Sequence, residues 1–331
     1  MALYRILSFD GGGIRGLLST VLLERLIEES AARDFILSVD MFAGSSTGAL
    51  IALGLAAEIP LAVIKDLYIE AGPKIFADKV FDQIRDIGNL LGSQYSNKEL
   101  GRWLHEIFGS RTLGDLKRKV IVPAFELDNV RDLQPGEPRR MKAKIFHNLP
   151  NREADNDRLL RDVALYTCSA PTLFPVADGF IDGAVVANNP SLCALAQALD
   201  RRWWSHPHLD DVRLLSIGSG QRITYLEGSR HNWGVVQWGS KIIPILMESS
   251  QEITDFQCSQ ILGRSQYCRV QPIFHENFRI DSADRIPDIQ EFARAKVDLV
   301  PAINWINENW QPGVWTRLLK RARGGQVKSK N

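Results

Sequence analysis

The sequence predicts an α/β protein with a largely parallel central sheet. Short apolar runs of the kind that form buried strands alternate along the chain with longer segments whose apolar residues recur at helical spacing. Two of these runs end in glycine-rich turns that lead directly into a helical segment, at residues 10–16 and 44–48. Alternating strands and helices are the pattern from which a parallel sheet covered by helices is expected.

The composition is that of an ordinary globular protein. Of 331 residues, 45% are hydrophobic and 24% are charged, which is enough material for one large core, so we expect a single domain over residues 1–331. The net charge of +1 argues against a nucleic-acid-binding protein, because such proteins carry a basic field. No apolar run approaches the roughly 20 residues that span a bilayer, and the N-terminal segment is interrupted too early to be a secretory signal.

Cysteine usage points to a reducing compartment. The four cysteines have no C-x-x-C spacing, which argues against a zinc site or a redox pair; they are Cys168, Cys193, Cys258 and Cys268. We expect reduced thiols in a cytoplasmic protein that needs no metal and no cofactor.

The first strand is predicted at residues 4–9, a short apolar run. The loop that follows, residues 10–16 (DGGGIRG), runs into a segment with helical spacing from Leu17. A glycine loop between a strand and a helix presents backbone N–H groups at the positive end of that helix. We therefore interpret this loop as an anion site.

The same loop also matches a dinucleotide-binding pattern. Gly11, Gly13 and Gly16 have the G-x-G-x-x-G spacing, and Asp40 lies 24 residues beyond Gly16, near where an acidic ribose ligand is expected. Against this alternative, Asp40 is followed by a second glycine motif, which favours Asp40 as the start of the second strand.

That second motif is G-x-S-x-G, formed by Gly44, Ser46 and Gly48 between an apolar lead-in and a long apolar segment. It predicts a nucleophile elbow, in which a buried strand ends at Gly44, Ser46 stands at the apex and a helix begins near Thr47. Glycines flank the apex because a neighbouring Cβ would have no room there. The serine hydroxyl then lies at a helix N-terminus, where developing negative charge is favoured.

Two more helices are predicted after the buried helix at 48–57. One begins at Pro60 and continues to residue 68, and the other follows a capping box at residues 96–99 and ends at Gly109. Between residues 74 and 95 the periodicity fades, and we expect this segment to form a mobile cap over the site.

The middle of the chain predicts strands at residues 119–125 and 143–147 and a helix at 159–167. Residues 169–175 contain two prolines and must form an irregular turn. Asp182 then follows an aliphatic pair, and Gly183 after it permits close backbone approach. From the residues alone, Asp182 is either a turn former or a placed functional group.

The last third of the chain predicts a buried strand at residues 212–217 that ends in a tight turn, and a second strand at 267–273. Residues 233–260 are amphipathic, with helical periodicity in their second half, and helices are expected over 289–309.

Acyl transfer explains the glycine loop, Ser46 and Asp182 together. Ser46 would attack an ester carbonyl, and the N–H groups of Gly12 and Gly13 would receive the oxyanion. The base is left open. A triad would take its histidine from the four that follow Asp182, which are His206, His208, His231 and His275. In a dyad, Asp182 itself takes the proton, which requires a dry pocket that raises its pKa from about 3.9.

Three segments, in this order, resemble the motifs of patatin-like phospholipases: residues 10–16, residues 44–48 (GSSTG) and residues 182–184 (DGA). These enzymes are lipid acyl hydrolases related in fold to the catalytic domain of cytosolic phospholipases. The likeness covers about residues 3–220. It implies a three-layer patatin-like fold. Beyond residue 220 the match is looser, and we expect residues 240–320 to form a C-terminal helical extension.

The resemblance also implies a site. Ser46 would be the nucleophile, Asp182 the base that replaces histidine, and the backbone of Gly11 to Gly13 the oxyanion hole. Arg15 falls where related phospholipases carry an arginine that meets the lipid phosphate, as a guanidinium's paired donors allow; the alternative for Arg15 is an ion pair on a helix surface. The implied partner is a membrane phospholipid, contacted from the inner face of the membrane.

Several questions stay open at this stage. The same dyad serves an acyltransferase if an alcohol replaces water, and some bacterial relatives are cyclic-nucleotide-activated defence effectors, which raises the question of a small-molecule activator. For the tryptophans we expect core packing for most and an interfacial patch as the alternative; they are Trp203, Trp204, Trp233 and Trp238. The basic residues at 320–330 are either a solvated terminus or a weak attachment to anionic lipid.

Overall fold

The computed structural model describes residues 3–31, 35–77, 93–133, 135–150, 154–202, 206–223, 225–226 and 232–310. The strands are β1 Tyr4–Phe9, β2 Met41–Gly44, β3 Lys119–Glu126, β4 Lys142–His147, β5 Phe180–Ile181, β6 Val212–Ile217, β7 Gln221–Arg222, β8 Tyr267–Val270 and β9 Ile273–Phe274. The helices are α1 Gly16–Glu29, α2 Thr47–Ala56, α3 Leu61–Asp66, α4 Gly72–Ile75, α5 Lys98–Phe108, α6 Leu160–Cys168, α7 Ala184–Ala187, α8 Ser191–Ala198, α9 Val235–Leu262, α10 Ile286–Ala295 and α11 Val300–Trp305.

A seven-stranded, largely parallel sheet forms the centre of the molecule. Its order is β4-β3-β2-β1-β6-β8, and β5 pairs with the end of β3. Strands β3, β2, β1, β6 and β8 run parallel, whereas β4 and β5 pair antiparallel with β3. The predicted α/β class with a largely parallel sheet is confirmed.

Helices cover both faces of this sheet. Alternate residues of β1 point to opposite sides, so that Leu7 and Phe9 join one apolar core and Ile6 joins the other. The larger core lies under α1, α2, α6 and α10. The smaller one lies under α8, which packs on β1, β2 and β6, and under the C-terminal half of α9. These three layers agree with the implied fold.

The strand predicted at 267–273 is interrupted. Strand β8 ends at Val270, and after Pro272 the chain pairs with β7 in a separate two-stranded sheet as β9. Proline has no N–H to donate to the hydrogen-bond ladder of the main sheet, which accounts for the break. Strand β8 nevertheless joins the main sheet beside β6, so the C-terminal part of the chain supplies a sheet strand as well as helices.

The capping box predicted at residues 96–99 is wrong in detail. Helix α5 begins at Lys98, and the Ser96 hydroxyl accepts the Lys98 N–H at 3.0 Å. Glu99 pairs with Arg102 along the helix instead. Ser96 is therefore one residue too far from the helix for the reciprocal arrangement.

Most of the segment expected to form a cap, residues 78–92, lies outside the described residues, as do Trp203, Trp204, His231 and residues 311–331. Within the part that is described, no helix has both the length and the apolar composition needed to cross a bilayer.

Candidate active site

Ser46 stands on a sharp turn between a strand and a helix. Strand β2 ends at Gly44, α2 begins at Thr47, and Ser46 between them has φ 50° and ψ −132°. A positive φ is strained for a residue with a Cβ, and such strain persists only where neighbours hold it. The Ser46 N–H donates to Thr167 Oγ1 at 2.9 Å, and the Thr167 hydroxyl donates to the Pro123 carbonyl at 2.7 Å. Thr167 thus ties the apex to β3.

The glycines that flank Ser46 leave no room for side chains. A Cβ on Gly44 would lie 2.3 Å from the carbonyl oxygen of Gly48, and one on Gly48 would lie 2.5 Å from the carbonyl oxygen of Asp10. Atoms this close cannot both be accommodated. The turn therefore packs against β1 and its glycine loop only because both positions are glycine.

Asp182 lies beside Ser46, although 136 residues separate them in the chain. The Ser46 hydroxyl donates to Asp182 Oδ2 at 2.7 Å, and the Ala184 N–H donates to Asp182 Oδ1 at 2.7 Å. The backbone of the turn is held as well, since the Asp182 N–H donates to the Ser169 carbonyl at 3.0 Å. Both carboxylate oxygens are thus oriented, with one of them directed at the serine.

Burial changes the acidity of this carboxyl group. Asp182 is 2% exposed and Ser46 is 7% exposed. Burial raises the pKa of Asp182 to about 7, and the hydrogen bonds from Ala184 and Ser46 oppose that rise. A carboxylate with an ordinary pKa near 3.9 is a weak base, whereas one near neutrality is suited to take a proton at physiological pH.

This pKa predicts a specific pH profile. Asp182 must be ionised to accept the Ser46 proton, so we expect kcat/KM for a soluble ester to rise with pH and level off above a midpoint near pH 7. The measurement is the initial rate between about pH 5 and about pH 9. A rate that stays constant down to the acid end of this range would contradict the role given to Asp182.

The glycine loop lies directly against Ser46. A Cβ on Gly11 would lie 3.0 Å from the Ser46 Cβ. The Gly11 N–H donates to the Asn188 carbonyl at 3.0 Å, so it is not free for a substrate oxygen, in contrast to the oxyanion hole of three amides that the resemblance implies. For the N–H groups of Gly12 and Gly13, no acceptor is found among the described residues. These two amides are therefore open to an acceptor from outside the described chain, such as a substrate oxyanion.

A buried ion pair that the sequence did not reveal fixes the base of this loop. Arg269 on β8 donates from Nη1 to Asp10 Oδ1 at 2.8 Å and to Ser216 Oγ at 2.7 Å, and Asp10 is fully buried. Burial raises the pKa of Asp10, and the charge of Arg269 opposes the rise. No local pattern connects these residues, because their contact depends on β1, β6 and β8 being neighbours in the sheet.

Arg15 lies near the C-terminal end of the loop, and its guanidinium faces backbone carbonyls. It donates from Nη1 to Gly220 at 3.3 Å, and its guanidinium lies 5.8 Å from the centre of the Phe274 ring. Burial lowers the pKa of Arg15 to about 10, and the charges of Glu248 and Asp10 oppose that fall. Arg15 therefore remains a cation at neutral pH. Among the described residues it makes no ion pair within 4.0 Å.

No histidine takes part in the described site. The Ser46 hydroxyl has Asp182 as its partner, and no described histidine ring forms a hydrogen bond with either residue. Likewise, no group of three or more histidine, cysteine or acidic side chains within the described ranges is placed to hold a metal ion. All four cysteines are free thiols.

Asp40 is poorly placed for a dinucleotide. It precedes β2, where its carboxylate accepts the Arg5 N–H at 2.8 Å, whereas the glycine loop follows β1. Because β1 and β2 are parallel, the Asp40 carboxylate and the glycine loop lie at opposite ends of the strands, more than about 10 Å apart. Asp40 is therefore too far from the glycine loop to be the ribose ligand that a dinucleotide site needs.

Gly183→Ala is expected to lower both stability and activity. The new Cβ would lie 2.1 Å from the Pro123 carbonyl oxygen and 2.7 Å from Thr167 Oγ1, so the turn that carries Asp182 must shift. We expect the free energy of unfolding in urea to fall by about 1–3 kcal/mol and ester hydrolysis to fall at least about tenfold. The matched control is Gly101→Ala in α5, where an added Cβ meets nothing within 4 Å and stability should rise by about 0.5–1 kcal/mol. Equal effects of the two changes would contradict the packing argument.

Comparison with known proteins supports the family that the motifs indicate. The family model for the patatin-like phospholipases matches residues 7–195. A cGAMP-activated phospholipase of Pseudomonas aeruginosa is 32% identical over 270 residues, covering 80% of this chain and 77% of its own. Protein teg of Priestia megaterium is 29% identical over 94% of this chain and all of its own. Patatin-like protein 2 of Arabidopsis thaliana is 29% identical over 81% of this chain and 75% of its own. The chain belongs to the patatin-like phospholipase family.

Proposed function

We propose that the protein is a serine lipid acyl hydrolase of the phospholipase A type, which cleaves fatty acyl esters of membrane phospholipids through a dyad of Ser46 and Asp182. The observation that carries this proposal is the 2.7 Å hydrogen bond from the Ser46 hydroxyl to the buried Asp182 carboxylate. In this proposal the protein acts from the cytoplasm on the adjacent membrane face.

The first half of the reaction forms an acyl-enzyme. Ser46 Oγ attacks the ester carbonyl while Asp182 Oδ2 takes the hydroxyl proton. The oxyanion of the tetrahedral intermediate lies against the N–H groups of Gly12 and Gly13, whose donors are preorganised by the anchored loop. The intermediate collapses, the C–O bond to the glycerol breaks, and Asp182 gives its proton to the departing lysophospholipid oxygen.

The second half reverses these roles. Asp182, again ionised, takes a proton from water as the water oxygen attacks the acyl carbonyl, and the same amides stabilise the second oxyanion. Collapse releases the fatty acid, and the proton returns from Asp182 to Ser46 Oγ. In this scheme Arg15 holds the lipid phosphate near the glycine loop, which suits a guanidinium that stays charged at neutral pH.

The test is lipid hydrolysis on vesicles of mixed phospholipids, with the products identified by mass. The proposal expects free fatty acid and lysophospholipid from the wild type and neither product from Ser46→Ala. Adding an acceptor alcohol separates a hydrolase from an acyltransferase, because only the latter converts the alcohol into an ester at the expense of free acid. Absence of lysophospholipid under all conditions would overturn the proposal.

An activator belongs to the same test. The Pseudomonas relative is described as activated by cGAMP, and we propose that a cyclic dinucleotide raises the rate here as well. The measurement compares the vesicle assay with and without added cGAMP. Identical rates would remove the activator from the proposal and leave the dyad chemistry as it stands.

A further inference from the structure

The N-terminal half of α9 carries many apolar side chains, and none of those whose burial the structure describes is buried. From residue 237 to residue 250, leaving Ser240 aside, no side chain is buried, although the segment contains Trp238, three isoleucines, Leu246 and Met247. Among the residues of this 28-residue helix whose burial is described, the first buried one is Gln251. An apolar helix segment that stays this exposed marks a surface that contacts something else.

Its most exposed apolar side chains form one stripe, which runs on into the C-terminal half of the helix. At 3.6 residues per turn, five of them lie within about 80° of one another around the helix axis; they are Trp238, Ile242, Leu246, Ile253 and Phe256. Trp238 is 41% exposed, Leu246 is 53% exposed and Phe256 is 60% exposed. Trp238 is therefore an exception to the core packing that we expect for most of the tryptophans.

The charge and the aromatic residues of this surface favour lipid over a protein partner. Residues 235–247, which carry the N-terminal part of the stripe, contain one cation, Lys241, and no carboxylate; the carboxylates that follow further along the helix are Glu248, Glu252 and Asp255. The Lys241 ammonium lies 5.7 Å from the centre of the Trp233 ring, and the Trp233 and Trp238 rings are 5.1 Å apart. Tryptophan and lysine on an otherwise apolar helix are the residues that anchor helices at a membrane–water interface.

Helix α9 adjoins the candidate active site. Glu248, where the acid-free segment ends, lies close enough for its charge to act on Arg15 beside the glycine loop. Two residues further on, the Ser250 hydroxyl accepts the Asn188 N–H at 3.2 Å, which attaches α9 to the residue whose carbonyl holds Gly11. A surface resting on the N-terminal half of α9 would therefore adjoin the entrance to the site.

We propose that the apolar stripe of α9, together with Trp233, is a docking surface for the phospholipid bilayer that carries the substrate. The proposal rests on the proposed function, because it identifies the surface that presents a lipid substrate to Ser46. The bilayer accepts the apolar side chains, and Lys241 stays at the level of the headgroups.

The direct test is cosedimentation with vesicles of phosphatidylethanolamine and phosphatidylglycerol, using the Ser46→Ala chain so that the lipid is not consumed. Adding Ile242→Glu and Leu246→Glu is expected to weaken vesicle binding at least about tenfold. The matched control instead adds Leu37→Glu and Leu209→Glu to the Ser46→Ala chain. These two leucines are exposed and lie in turns just before β2 and β6, at the end of the sheet opposite to the glycine loop. The control is expected to bind vesicles as the Ser46→Ala chain does.

A second readout separates docking from catalysis. With Ser46 intact, the Ile242→Glu/Leu246→Glu chain should hydrolyse a soluble short-chain ester at about the wild-type rate and lose vesicle hydrolysis in proportion to its lost binding. If the wild type hydrolyses neither substrate, the proposed function fails, while vesicle binding by the Ser46→Ala chain still decides the docking surface.

Three results would overturn the docking proposal. The first is that the Ser46→Ala chain does not bind vesicles, and the second is that the Ile242→Glu/Leu246→Glu change leaves binding intact. The third is a lipid-free dimer in sedimentation equilibrium that this change dissociates, which would assign the stripe to a second copy of the chain. As a check independent of added charge, brominated lipid should quench tryptophan emission less in Trp238→Phe than in the wild type.

Discussion

Replacing Ser46 with alanine is expected to reduce ester and phospholipid hydrolysis by at least about 10⁴-fold. The change removes the hydroxyl oxygen that lies 2.7 Å from Asp182 Oδ2, at the apex of the strained turn. The fold should be retained, because the hydroxyl makes no other hydrogen bond among the described residues and its removal leaves the backbone contact with Thr167 in place. The measurement is the rate on a soluble ester and on vesicles at a pH above 7.

The neighbouring Ser45 provides a matched control. Ser45 is fully buried, and its hydroxyl has no partner among the described residues, so Ser45→Ala should keep the rate within about threefold of the wild type. A fluorophosphonate probe should add its mass to Ser46 in the wild type and in Ser45→Ala but not in Ser46→Ala. Labelling at another residue, or comparable losses in both variants, would contradict the assignment of the nucleophile.

Asp182→Asn is expected to lower kcat by about 10³- to 10⁴-fold. The amide is nearly isosteric and keeps an oxygen for the Ala184 N–H, but it cannot take the Ser46 proton. The residual rate should also lose the rise with pH centred near 7 that the pKa of Asp182 gives the wild type. As controls, His206→Ala, His208→Ala and His275→Ala should each stay within about threefold of the wild-type rate. A histidine variant as inactive as Ser46→Ala would replace the dyad with a triad.

The same variant has a signature in stability. The folded-state pKa of Asp182, about 7, is higher than the unfolded value near 3.9, so the folded protein holds this proton more tightly. Its contribution to stability is complete below the unfolded pKa and is lost as pH rises through the folded pKa. The advantage of Asp182→Asn over the wild type in urea unfolding should therefore grow between about pH 4 and about pH 7. A constant difference across this range would show that the carboxyl group is not desolvated.

Local features of the site could be read from the sequence because they depend on neighbours in the chain. The turn at Ser46 follows from a strand, two glycines and an apolar helix within a few residues, and the structure has β2 and α2 at the predicted places. The glycine loop after β1 is local in the same sense. Asp182 could not be identified from its sequence neighbours alone, because they also fit an ordinary turn. It was identified from the three motifs taken together.

Contacts across the sheet could not be predicted in this way. Thr167 holds the Ser46 N–H over a separation of 121 residues, and Arg269 reaches Asp10 over 259; both depend on strand order, which periodicity does not specify. The hydrogen bond that the Gly11 N–H makes could not be predicted either, because it depends on where Asn188 lies. Helix α9 could be predicted only in part. Its amphipathic pattern predicts a helix but does not say whether the apolar side faces a core or the outside.

The Asp10–Arg269 ion pair limits how far the chain can be shortened from its C-terminal end. All three motifs lie before residue 195, yet the cation that neutralises the carboxylate beneath the glycine loop comes from β8, far beyond the span of the family model. A truncated chain that kept every motif but ended before β8 would leave Asp10 as an uncompensated charge in the interior, at a cost of about 3–5 kcal/mol. The motif-bearing portion is therefore not a self-sufficient module, and grafting or excising it without β8 would lose the geometry of the glycine loop.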